Sequence, residues 1–117
     1  MLGFYTDYLD LTDAQQAQMK DIINQAKPTI QPLMQQLAAS RRQLQQLESA
    51  SSIDEATVRS VATQQSQTMT ELIVQKAHIK NEMMQVLTAD QKAKLAKFAA
   101  RRQQRFQKHT QAPAENQ

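Results

Sequence analysis

Leu87-Thr88-Ala89-Asp90-Gln91 (residues 87–91) separates a long apolar stripe from a strongly basic stretch and reads as the start of a helix. Thr88 suits the N-cap, where its hydroxyl can accept from the amide of Gln91, and the Gln91 side chain can reach back to the amide of Thr88. Asp90 in the first turn suits the positive end of the helix dipole. The same arrangement stands 76 residues earlier as Leu11-Thr12-Asp13-Ala14-Gln15. A hydrophobic staple would set Leu11 and Leu87 against apolar N4 residues, but those positions are Gln16 and Lys92. Both leucines must therefore pack elsewhere. Ser52-Ile53-Asp54-Glu55 reads as a third capping box.

Upstream of Leu87, the series Val58, Ala62, Gln65, Met69, Leu72, Lys76, Ile79, Met83, Val86 alternates steps of four and three. This heptad stripe predicts a helix from about Ile53 to Val86 that packs in coiled-coil fashion. At 1.5 Å per residue it would be about 50 Å long, more than a small domain spans. Lys76 on such a seam is costly if buried unpaired, so it either snorkels or the seam lies open to solvent. After Thr12, a second stripe runs through Met19, Ile22, Ile23, Ala26, Ile30, Leu33, Leu37, Leu44 and Leu47 at helical period. Pro28 and Pro32 interrupt it and predict a break or kink near residues 27–32, with the helix resuming over 33–48. Ser49-Ala50-Ser51-Ser52 is the loop between the stripes. A last helix is expected from about Ala89 to Lys108. Residues 2–9 hold three of the five aromatics and read as a short lead packed on the first helix. Residues 110–117 read as a disordered tail. The fold class is all-α, with four helices and a long helical hairpin, in a single domain over residues 1–109.

Composition narrows the chemistry. The 117 residues include no Cys and one Gly, so disulfides, thiolate metal sites and glycine-rich phosphate loops are excluded. Twenty-one Gln and an aromatic content of 4% favour long helices over a deep core. No nucleophile is paired with a base, and acids such as Asp54 and Glu55 stand at helix starts, so no enzyme and no cofactor are expected. The net charge of +3 is uneven: residues 1–58 sum to −3 and residues 59–117 to +6. Lys92, Lys94, Lys97, Arg101, Arg102, Arg105 and Lys108 face only Asp90 between residues 88 and 109. The basic helix lacks interleaved aromatics and any DNA-reading motif, so no nucleic acid is expected. No apolar run approaches the ~20 residues of a membrane span. The opening Met1-Leu2-Gly3-Phe4 lacks the basic and apolar regions of a signal peptide, so none is expected within this numbering, and one removed before it is compatible with this start. A homodimer in which long helices cover one another is the simplest way to hide the remaining apolar surface.

Two copies of Leu-Thr-x-x-Gln, each opening a helix, are more specific than the capping chemistry. The second copy with its flanks, Met84-Gln85-Val86-Leu87-Thr88-Ala89-Asp90-Gln91-Lys92-Ala93-Lys94-Leu95, resembles the LTXXQ-motif family of Spy- and CpxP-like periplasmic proteins. The resemblance covers roughly residues 9–109. It implies a four-helix protomer in an antiparallel, coiled-coil-like, cradle-shaped homodimer, located in the periplasm. It also implies ATP-independent binding of unfolding proteins on a basic concave face with apolar patches. A CpxP-like role would instead make the chain an envelope-stress signalling regulator whose partner is the periplasmic domain of a sensor kinase. Other relatives are metal-binding stress proteins.

The motif does not map the family's concave face onto positions, so the client-binding candidates come from the residues themselves. Arg41, Arg42, Lys76 and Lys80 flank or interrupt apolar stripes and are expected to speed client capture. Ile30, Met34 and Leu37 are expected to hold the captured client, methionine being flexible and suited to varied partners. Core packing is the plainer reading of the methionines. His78 and Glu82, one helical turn apart, are the weak metal candidates; a third ligand is not evident nearby.

Overall fold

Three side chains decide where the long helices begin. The computed structural model describes residues 2–115, with the backbone alone for Leu2 and residues 109–115. Among the described residues there are four helices and no strand: α1 (Leu2–Leu9), α2 (Asp13–Glu48), α3 (Glu55–Val86) and α4 (Ala89–Glu115). Thr12 and Thr88 cap α2 and α4, and their carbonyls accept the first helical bonds from Gln16 at 3.0 Å and Lys92 at 2.9 Å.

The third start differs from expectation. Asp54, and not Ser52, caps α3: its carbonyl accepts from the Val58 amide at 3.0 Å. Its carboxylate accepts from the Thr57 hydroxyl at 2.7 Å and from the Thr57 amide at 3.2 Å. A carboxylate offers two strong acceptors where a serine offers one hydroxyl, and Thr57 supplies two donors to match. These bonds, the hydroxyl's first, hold the Asp54 carboxyl below its ordinary value. A folded pKa below the unfolded one stabilises above the unfolded value, near pH 4, and the contribution is lost as pH falls through the folded value. The protection of the Thr57 and Val58 amides against exchange should therefore fall on acidification below about pH 4. In Asp54→Asn this pH dependence should vanish; if it persists, Asp54 is not the titrating cap.

The proline pair gives a second correction. Pro28 and Pro32 lie inside α2, which is continuous from Asp13 to Glu48. Each removes one backbone bond, at a typical cost of ~3 kcal/mol. The pair is spaced one turn apart, and Asn24, Pro28 and Pro32 are all exposed. The carbonyls left without an amide partner, those of Asn24 and Pro28, thus lie on the side open to water. The apolar stripe opposite is uninterrupted, and its burial carries the helix through.

The chain forms two compact units. Met19–Met83 is a helical hairpin of α2 and α3. On α2 the inward line is Met19, Ile22, Ile23, Ala26, Ile30, Leu33, Leu37, Ser40, Leu44 and Leu47, as the stripe predicts. On α3 the line is Val61, Gln65, Thr68, Leu72, Gln75 and Ile79. The predicted seam is buried or half-buried at Val58, Ala62, Gln65, Leu72, Ile79, Met83 and Val86 but displaced by one residue at Met69 and Lys76, which are exposed. The three-then-four alternation runs in the opposite order around Leu72, so uncharged Thr68 and Gln75 take the half-buried places. Lys76 has no seam burial to relieve.

The other unit joins both ends of the chain, up to Gln18 and from Met84 onward. Here α1 packs on α4, not on the helix that follows it. Phe4 and Tyr8 meet Phe98 at centroid distances of 5.4 and 5.6 Å, and the Tyr8 hydroxyl donates to the Lys94 carbonyl at 3.2 Å. Phe98 offers the aromatic face that the start of α2 lacks. A Schellman turn reverses the chain after α1: Asp10 has φ 53°, and the Leu11 amide donates to the Thr6 carbonyl at 3.1 Å. The backbone of α4 continues past Lys108 to Glu115, through part of the stretch read as a disordered tail. Ala and Gln there are good helix formers. Asn116 and Gln117 lie outside the described residues.

Candidate functional site

The two motif copies clasp each other. Each forms the expected reciprocal box: the Thr12 amide donates to Gln15 Oε1 at 3.0 Å and the Gln15 amide to Thr12 Oγ1 at 3.1 Å. The Thr88–Gln91 pair repeats this at 2.9 and 3.2 Å. The two glutamine side chains then meet amide to amide, Gln15 Nε2 to Gln91 Oε1 at 2.8 Å and Gln91 Nε2 to Gln15 Oε1 at 3.1 Å. Gln15 Nε2 also donates to the Val86 carbonyl, and Gln91 Nε2 to the Leu9 carbonyl, both at 3.0 Å. Every donor and acceptor of the buried Gln91 side chain is thus used. Leu11 and Leu87 are buried in the same unit, so they do pack away from their own helix starts. The motif is a lock for the helix ends, and its chemistry is structural.

The hairpin unit has two unlike faces. Gln36, Ala39, Ser40, Gln43, Gln64, Gln67 and Thr68 line an open groove of about 370 Å³. Apart from the seam residues Ser40 and Thr68 themselves, each lining residue immediately precedes a seam position. Residues that immediately follow a seam position must therefore share the opposite face on both helices. On α2 these include Lys27, Met34, Ala38 and Arg41; on α3 they include Met69, Ile73, Lys76 and Lys80. Thr68 Oγ1 lies 3.5 Å from Gln36 Oε1, which sets the antiparallel register. Met34 then falls level with residues 69–73. Met34 is 48% exposed and Ile73 61% exposed, and Met69 is also exposed. This face therefore carries an apolar patch with Lys27, Lys76 and Lys80 toward one end and Arg41 toward the other. No acid follows a seam residue between positions 20 and 45 of α2 or between 62 and 84 of α3.

The sequence-based candidates divide accordingly. Met34, Arg41, Lys76 and Lys80 stand on the apolar and basic face, and Ile30 lies half-buried at its edge. Leu37 is buried in the hairpin core beneath, where it holds the two helices together. Arg42 points outward, between the faces. His78 and Glu82 are exposed on the groove side, and no group of three or more His, Asp or Glu suited to a metal converges among the described residues. Ile73 and Lys27 were missed. The run Leu72-Ile73-Val74 held the signal for Ile73, since one helical stripe cannot bury all three of three consecutive apolar residues.

Residues 2–99 match the LTXXQ motif family, described as LTXXQ motif family protein, and the chain belongs to this family. No curated protein and no solved structure matches it. Among the described residues, no helix is long and apolar enough to cross a membrane.

Proposed function

We propose that this protein is a non-enzymatic, ATP-independent periplasmic chaperone whose working unit is a homodimer. Unfolding clients bind the Met34–Met69–Ile73 patch. The observation that supports this reading is an exposed apolar patch on one face of a hairpin where the charged side chains beside it are all cations. Exposed cations draw in a client at long range, and short apolar contacts then hold it. Met34 and Met69 adapt to different side chains because the thioether chain is flexible and polarizable. Binding of this kind releases a client once folding buries the client's own apolar surface, so no nucleotide is required.

The test follows aggregation of an unrelated denatured protein without ATP, beside association and dissociation rates. Met34→Gln with Ile73→Gln should raise client dissociation about tenfold, the loss expected from two partly buried apolar contacts. Lys76→Gln with Lys80→Gln should slow association at low salt and change little at 0.15 M, where the Debye length is about 8 Å. Sedimentation of the same proteins should give dimers throughout. Should the apolar variant become monomeric while still suppressing aggregation, the patch joins two copies and the client reading fails. Absence of suppression by the parent protein, with tight binding to one sensor domain, would favour a signalling regulator.

A further inference from the structure

We infer that the distal part of α4, residues 97–108, docks on anionic lipid bilayer surfaces. Every side chain from Ala99 to Lys108 is exposed. Lys97, Arg101, Arg105 and Lys108 follow at steps of four, four and three and form one strip of the helix. Arg102 and Phe106 form the neighbouring strip, and Phe106 is 69% exposed. The combination is a cationic strip with one aromatic at its border, which shares with interfacial helices the basic face but has only Phe106 as a large apolar group.

The acids of this unit do not neutralise the strip. Lys94 Nζ is 3.7 Å from Asp10 Oδ2. The antiparallel packing of α1 on α4, Tyr8 at Lys94 and Phe4 at Phe98, keeps Asp7 and Asp10 at the Lys94 end. Asp90 belongs to the first turn of α4. Between Phe98 and Lys108 the helix carries Arg101, Arg102 and Arg105 without an acid.

Charge selects the occupant. A second copy of the strip would set cation against cation. Single-stranded nucleic acid would lack a run of aromatics on which bases could stack, and a duplex would leave Phe106 unused. A bilayer bearing phosphate headgroups satisfies both features at once. The planar guanidinium groups of Arg101, Arg102 and Arg105 match phosphate oxygens in pairs. Phe106 enters the boundary between headgroups and acyl chains. With so little apolar area the attachment is peripheral and electrostatic, so it is reversed by salt.

Cosedimentation of the full chain with vesicles tests this. Vesicles of phosphatidylglycerol and phosphatidylcholine in equal parts should bind it at low salt; pure phosphatidylcholine vesicles should not. Arg101→Gln with Arg105→Gln should weaken partitioning about 25-fold, at about fivefold per charge near an anionic surface. Both positions are exposed and Gln keeps helix propensity, so folding is unaffected. Lys20→Gln with Arg59→Gln removes the same net charge from the hairpin unit and should change partitioning less than about twofold. Equal losses in the two double variants would show a response to net charge alone and overturn the proposal. Binding to both vesicle types, to neither, or more tightly to duplex DNA would also overturn it.

Discussion

Gln91→Ala should destabilise the unit that joins the chain ends by about 2–3 kcal/mol, far more than an ordinary exposed polar substitution. Gln91 is only 8% exposed. Truncation removes the acceptor of the Thr88 amide and the donor to the Leu9 carbonyl, and it takes from each end of the Gln15 amide one of its two partners. Leu9 is itself buried, so its carbonyl has poor access to water. A buried group left unpaired bears its whole desolvation cost. Thr88→Ala removes a single hydroxyl acceptor and should cost only about 1 kcal/mol. Gln91→Glu separates the amide's role from its size. The carboxylate cannot donate to the Leu9 carbonyl, and facing that oxygen raises its pKa. Its deficit should therefore shrink as pH falls through the raised value, because the protonated acid regains a donor. Both tyrosines of the chain, Tyr5 and Tyr8, lie in this unit, so urea unfolding followed by tyrosine fluorescence reads it directly. A loss below about 0.5 kcal/mol for Gln91→Ala would mean the clasp is not formed in solution.

Leu72→Ala should destabilise the hairpin by about 2–5 kcal/mol, the usual range for removing a buried leucine side chain. Leu72 is 3% exposed, and its nearest neighbours along the α3 seam, Thr68 and Gln75, are polar. Those polar neighbours cannot collapse into the cavity without losing hydration, which places the effect toward the upper end of the range. The adjacent Ile73→Ala should cost less than about 0.5 kcal/mol, because its side chain already lies in water. The same register predicts that Val61→Ala is more costly than Met69→Ala. Urea unfolding followed by circular dichroism gives all four values. A larger loss at Met69 than at Val61 would restore the seam expected from sequence and remove Met69 from the open face.

The candidate face was legible only in part, because exposure on a long helix depends on small rotations. Met34, Arg41, Lys76 and Lys80 were readable as residues beside a stripe. Their sharing of one face was not, since it needs the pairing of α2 with α3. Lys76 was singled out for a reason the fold does not support: it was placed on the seam, whereas it belongs to the open face.

By itself, the sequence determined the helical class, the two Thr–Gln helix starts and the α2 stripe. These depend on local chemistry: reciprocal bonds between residues three apart, and a 3.6-residue period that is the same wherever the helix lies. Tertiary structure decided the rest. Pro28 and Pro32 are accommodated because the buried stripe on the other side of α2 outweighs the loss of two backbone bonds. Asp54 displaces Ser52 as cap because Thr57 can offer it two donors. Thr68 and Gln75 replace Met69 and Lys76 on the α3 seam because the facing helix sets the rotation. Gln15 and Gln91 find each other across 76 positions. Local pattern announces that each amide will turn back to cap its helix, but only the folded chain brings the remaining donor of each to the other.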